Sequence, residues 1–245
     1  MSRPEPIFNV PGAVAGLLLV FAAVHGTRQW LSPDMEQYWT LALAFIPARY
    51  SGHAAQLPGG QIAAVTSFLT HMFVHGDLTH LGMNSVWFLA FGGAVARRLG
   101  GPMFFAFAAV TGIAGILLYL LAHWGQFAPV VGASGAVSGL MGGALRLLHG
   151  ALRTGGLRTL QDAPRSVPLA SVRDTLGDRQ MAALIAVWFI VNVGIGLSGD
   201  LFVPGQGGIA WEAHIGGFFA GLLGLAWFDG NADAAAVQAP EPPWH

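Results

Sequence analysis

The chain contains no cysteine and no lysine, and charged side chains make up only 9% of its 245 residues. Each shortage excludes something. Without cysteine there are no disulfides, no thiolate metal ligands and no cysteine nucleophile. Without lysine there is no serine–lysine dyad, one of the known ways of activating a serine. An average soluble domain carries about 25% charged residues, so this chain lacks the polar surface that a body in water needs. A net charge of −1 gives no electrostatic footprint for nucleic acid. What is abundant is apolar: 54% of the residues are hydrophobic. The class these numbers point to is an all-α polytopic membrane protein.

A membrane-spanning helix takes about 20 mostly apolar residues. Six stretches are of this kind, at 10–25, 81–99, 102–122, 133–148, 181–197 and 209–228. The first follows a segment, 1–9, with one basic residue, Arg3, and has no convincing small-residue cleavage site. It therefore reads as a span rather than as a signal peptide. With six spans, Arg3, Arg97, Arg98, Arg146, Arg153, Arg158, Arg165, Arg173 and Arg179 share one side, and Arg28 and Arg49 lie on the other. Nine against two is a positive-inside bias, and it predicts that both termini are cytoplasmic. The first outer loop, 26–79, contains an apolar run from Tyr38 to Pro47 that is too short to span and reads as interfacial or re-entrant. The loop 150–180 is polar and arginine-rich and is expected to be a cytoplasmic connector. The tail, 229–245, has the composition of a disordered segment. No internal repeat of the transporter kind is visible.

Polar residues inside such spans are costly and are functional-site candidates. On this topology His80 and Asn84 lie at the outer end of the second span, Ser134 at the outer start of the fourth and His214 in the outer third of the sixth. Three separate helices thus bring their polar residues to one level, which is the main argument for a single active site.

Ser134 stands in Gly132-Ala133-Ser134-Gly135 at the start of a helix. A helix start leaves unpaired N–H groups, and such donors stabilise an oxyanion formed when a serine attacks a carbonyl. Gly135, Gly139 and Gly143 equally form a small-residue stripe suited to close helix packing. The two readings are compatible, because close packing is how a serine on one helix reaches a base on another. His214 is followed by Gly217 and Gly221 on its own helix face. Its neutral imidazole would accept the hydroxyl proton and later return it to the leaving amine; the plainer alternative is a buried histidine bonded to a backbone carbonyl. His80 and Asn84, at i and i+4, share one face and would serve as oxyanion donors or as interhelical hydrogen bonds.

His71, His75 and His80 raise the question of zinc. No His-Glu-x-x-His occurs and Asp77 is the only acidic residue near them, so neither a metal nor any other cofactor is expected. His25, His53, His123, His149 and His245 show no partner pattern and are expected at the interface or in solvent. No carboxylate completes a triad: Glu212 points to another helix face than His214, and nothing selects Asp200.

Taken together, the run from His75 through His80 to Asn84, the Gly132-Ala133-Ser134-Gly135 motif and Ala213-His214-x-x-Gly217-x-x-x-Gly221 resemble the rhomboid family of intramembrane serine proteases. The likeness runs from about Thr70 to Phe228. It implies Ser134 as nucleophile, His214 as base, His80 and Asn84 around the oxyanion, and the six-transmembrane-helix bundle of bacterial members. It further implies single-pass transmembrane proteins as substrates, the lipid bilayer as the medium, and the bacterial inner (plasma) membrane as the location. Some members carry an aromatic residue four positions after the nucleophile, stacked on the histidine; here that position is Ser138. Either another residue supports His214, or the ring is held more loosely. A non-catalytic rhomboid-like binding factor is the alternative from another class, and a small-solute transporter is the third.

Overall fold

The computed structural model describes residues 10–154, 156–202 and 209–230. The expected N-terminal segment, 1–9, and nearly all of the expected tail, 231–245, lie outside them. The described residues are helical and contain no strand, only one isolated antiparallel bridge between Phe45 and Val130. The helices are α1 (Gly12–Arg28), α2 (Pro33–Leu43), α3 (Gly60–Thr70), α4 (Leu78–Leu99), α5 (Gly101–Ala122), α6 (Ser134–Thr154), α7 (Gly156–Asp162), α8 (Val172–Gly177), α9 (Arg179–Phe202) and α10 (Trp211–Phe228). The six apolar stretches correspond to α1, α4, α5, α6, α9 and α10. By length and composition two of these, Gly101–Ala122 and Arg179–Ser198, are apolar enough to cross a membrane, with the shorter apolar α1 beside them.

Local sequence explains where the helices begin and turn. Asp77 caps α4 by accepting the His80 backbone N–H at 2.8 Å. Gly100, at φ 77°, ends α4, and Pro102 sits in the first turn of α5. Positive φ costs glycine nothing, and proline is at home in a first helical turn, so the chain reverses within about one residue there.

The core lies between α4, α5, α6 and α10, built on Phe88, Phe104, Phe107, Leu140, Leu147 and Leu225. Its tightest seam is α6 on α10. A Cβ at Gly217 would overlap the carbonyl of Gly135, and one at Gly221 would overlap the carbonyl of Gly139. Gly142 meets the Phe218 carbonyl in the same way. Backbone therefore touches backbone, an approach that small residues permit. In contrast, α9 stands at the edge. Only 11% of its apolar window is buried against 50% for α5, and Leu184, Val187, Ile190, Val191 and Ile195 are exposed.

The first loop is more ordered than its composition suggests. It folds into α2, α3 and short 3-10 turns, held by the two arginines of that side. Arg28 donates to the His75 carbonyl at 2.6 Å and bonds Glu36, and this guanidinium holds the Glu36 carboxyl below its ordinary value. Arg49 donates to the carbonyls of Pro58 and Leu41. At the opposite end, Arg98 is 2% exposed. It pairs with Asp229 at 2.7 Å and donates to the carbonyls of Pro164 and Val167. Arg146 donates to Ala170 and Leu222 carbonyls. The connector is thus fastened to the bundle along 164–170. Two expectations change here. Helix α6 continues past residue 148 to Thr154, and Asp229, assigned to the tail, is buried by its pairing with Arg98.

Removing one partner of a buried, hydrogen-bonded ion pair costs about 3–5 kcal/mol. Arg98→Ala is therefore expected to lower the thermal midpoint of the purified protein substantially, measured in detergent against Arg158→Ala as a control. Equal midpoints for the two variants would contradict the role given to Arg98.

Candidate active site

Ser134 is the first residue of α6, and the segment that delivers it is pinned from three sides. Phe45 and Val130 exchange backbone hydrogen bonds at 3.0 and 2.8 Å, and the Ala48 N–H donates to the Gln126 carbonyl at 2.9 Å. The Gly132 N–H donates to the His71 carbonyl at 2.8 Å. His71 is buried, and its own Nδ1 lies 2.8 Å from the Ser67 carbonyl. The first loop and the turn before α4 thus act as a splint for the chain entering α6.

Across the glycine seam, His214 Nε2 lies 2.8 Å from Ser134 Oγ. Both residues are half-buried. The other ring nitrogen, Nδ1, lies 2.7 Å from Oδ1 of Asn192 on α9. Nδ1 thus faces an amide oxygen and Nε2 faces a hydroxyl.

Gly132 brings the second pair of predicted residues to the same place. Its φ is 110°, and a Cβ built there would lie 2.6 Å from His80 Nε2, 2.7 Å from its Cε1 and 3.8 Å from Asn84 Nδ2. The imidazole of His80 and the amide of Asn84 therefore stand directly over the turn that precedes Ser134. His80 Nδ1 accepts from the Gly76 N–H at 3.4 Å, which leaves Nε2, the nitrogen nearest Gly132, to carry the proton. Asn84 is buried and donates one amide hydrogen to the His80 carbonyl at 2.9 Å, leaving the other hydrogen for a further acceptor. The N–H groups at the start of α6 add to these donors. At the rim, the His80 backbone N–H holds the exposed Asp77 carboxyl below its usual value.

All of the expected site residues, Ser134, His214, His80, Asn84, Gly132, Gly135, Gly139, Gly217 and Gly221, fall in this one region. Asn192 was missed. The signal was a single amide in an otherwise apolar run, at the end of its span that the topology places level with the other polar residues. Three histidines expected at interfaces or in solvent differ. His25 and His149 are buried, at 6% and 4% exposure. His123 stacks on Tyr119 and pairs with Glu212 at 3.0 Å, tying the end of α5 to the start of α10.

A family model described as Rhomboid domain matches residues 63–230, more than half of the chain. The chain is also similar to Rhomboid protein 1, mitochondrial, of Saccharomyces cerevisiae, with 35% identity over 85 residues. That stretch covers 33% of this chain and 25% of the yeast protein, so the chain spans about a quarter of the length of that relative.

The turn at Gly132 makes a sharp comparison possible. Gly132→Ala carries a positive-φ cost of about 1–3 kcal/mol and also a clash with the His80 ring. Gly52 has a similar φ of 97° but open space around it. Gly132→Ala should lower the thermal midpoint clearly more than Gly52→Ala. Equal losses would mean that His80 does not pack against the turn as described.

Proposed function

The chain belongs to the Rhomboid family, integral membrane proteins most of which are serine proteases acting inside the bilayer, and from that premise we propose that it is an intramembrane serine endopeptidase. The observation that carries this reading is the 2.8 Å hydrogen bond between Ser134 Oγ and His214 Nε2. A non-catalytic member has no need of a bonded nucleophile and base at a helix start, which favours the protease over a binding factor.

The chemistry follows from the geometry. The substrate is a transmembrane helix of a single-pass protein, and it unwinds locally to expose a carbonyl. Ser134 Oγ attacks the carbonyl carbon while its proton passes to His214 Nε2. The carbonyl oxygen becomes an oxyanion, received by the N–H groups at the start of α6, by His80 Nε2–H and by the spare Asn84 amide hydrogen. His214 then protonates the leaving amine, and the C–N bond breaks. Water, deprotonated by the same imidazole, hydrolyses the acyl-serine and restores the hydroxyl. No cofactor enters any step.

The bundle is read as six membrane spans, α1, α4, α5, α6, α9 and α10, in one protease domain covering 10–228. The arginine asymmetry supports cytoplasmic termini, and the resemblance of the motifs to those of bacterial members favours a bacterial inner membrane. The dyad then lies toward the outer face, so substrates are cut in the outer part of their span or just beyond it. Glycine or proline in the substrate helix promotes cutting, because both lower the cost of exposing backbone.

Reconstitution with a single-pass substrate tests this directly. Wild-type protein should yield two fragments, with the cut mapped by mass spectrometry to the outer part of the span. Ser134→Ala and His214→Ala should each abolish cleavage, because the two side chains act as a unit. Undiminished cleavage by Ser134→Ala would overturn the mechanism, and a cut at the cytoplasmic end would overturn the topology.

A further inference from the structure

We infer that Asn192 is a positioning residue for the base, fixing the tautomer of His214 so that Nε2 is free to accept the Ser134 proton. The consequence for turnover rests on the protease reading above; the assignment of the ring does not.

Three contacts between α9 and α10 carry the inference, and they form an antiparallel ladder. Trp188 stacks on Phe218 with ring centroids 4.5 Å apart and planes at 23°. One turn along α9, Asn192 Oδ1 meets His214 Nδ1 at 2.7 Å. A further turn along, Gly196 lies against the Trp211 ring so closely that a Cβ there would overlap it. The polar contact is therefore held in register on both sides by packing. Because α9 is otherwise sparsely buried, this ladder is how it meets the site.

The amide orientation follows from its second bond. Asn192 Nδ2 donates to the Trp188 carbonyl at 3.2 Å, one helical turn back, so Oδ1 is the atom that faces the imidazole. Oδ1 is only an acceptor, so Nδ1 must carry the ring proton. Nε2 then presents a lone pair to Ser134 Oγ.

An interhelical hydrogen bond that merely staples α9 to α10 would look the same in a static structure. The response of the ring and of kcat to loss of the amide separates the two. The probe is the full chain in detergent micelles with 15N-labelled histidine, the His214 signals being those lost in His214→Ala. Wild-type protein should show a protonated Nδ1 and a bare Nε2, and Asn192→Leu should lose this preference. On a single-pass substrate, Asn192→Leu should lower kcat by about 10- to 100-fold with little change in KM, at or below the low end of what a positioned base contributes. Asn192→Asp, which restores the acceptor, should recover most of that loss.

Three results would overturn the inference. They are a wild-type His214 protonated on Nε2, wild-type kcat in Asn192→Leu, and a loss in Asn192→Leu that Asn192→Asp does not recover. If Asn192→Leu fails to fold, Asn192→Ala takes its place, with the same results expected. Cleavage by Ser134→Ala would instead refute the protease reading and leave the position of the ring proton, as the spectrum gives it, unaffected.

Discussion

The contact of α6 with α10 at backbone distance is the constraint on which the site depends. A serine and a histidine have short reach. Their side chains can share a 2.8 Å hydrogen bond from two helices only if the helices themselves nearly touch. Gly135 and Gly139 on one side, and Gly217 and Gly221 on the other, leave no side chain to hold them apart. The same glycines then expose backbone carbonyls to backbone, where dispersion and weak polar contacts operate in place of a hydrophobic driving force that lipid does not supply. The glycine stripe is the condition for the contact between Ser134 and His214.

Everything else sets the ends of that seam. The first loop, through Phe45, Ala48 and His71, braces the strand-like segment that leads to Ser134. The missing side chain at Gly132 lets His80 and Asn84 close over it. The scarce charges are committed to backbone carbonyls at the two ends of the bundle: Arg28 and Arg49 organise the first loop, and Arg98 and Arg146 fasten the connector at 164–170. A guanidinium has several fixed donors and so can satisfy more than one carbonyl at once, which lysine's ammonium does with less geometric definition. That suits a chain in which every basic residue is arginine.

Much of this was legible in sequence because it depends on local pattern. Apolar run length located the cores of α1, α4, α5, α6, α9 and α10, and glycine spacing pointed to the α6–α10 seam. That His80, Asn84, Ser134 and His214 come together was expected from topology and motif jointly. Other features depend on long-range hydrogen bonds that leave no periodicity. The ordering of the first loop by Arg28 and Arg49 is one. The burial of Asp229 against Arg98 is another, since an aspartate after the last apolar residue resembles any polar tail. Asn192 falls between these cases. Its type and depth were visible, but its partner lies 22 residues away on a helix whose register is set by Trp188 and Phe218.

The central claim is that Ser134 is a nucleophile made reactive by His214, and covalent labelling reads that claim without knowledge of any substrate. Purified protein treated with a fluorophosphonate probe should be modified at Ser134, located by peptide mass spectrometry, and His214→Ala protein should lose the labelling while remaining folded. Equal labelling in the His214→Ala variant, or modification of other serines with Ser134 untouched, would contradict the account.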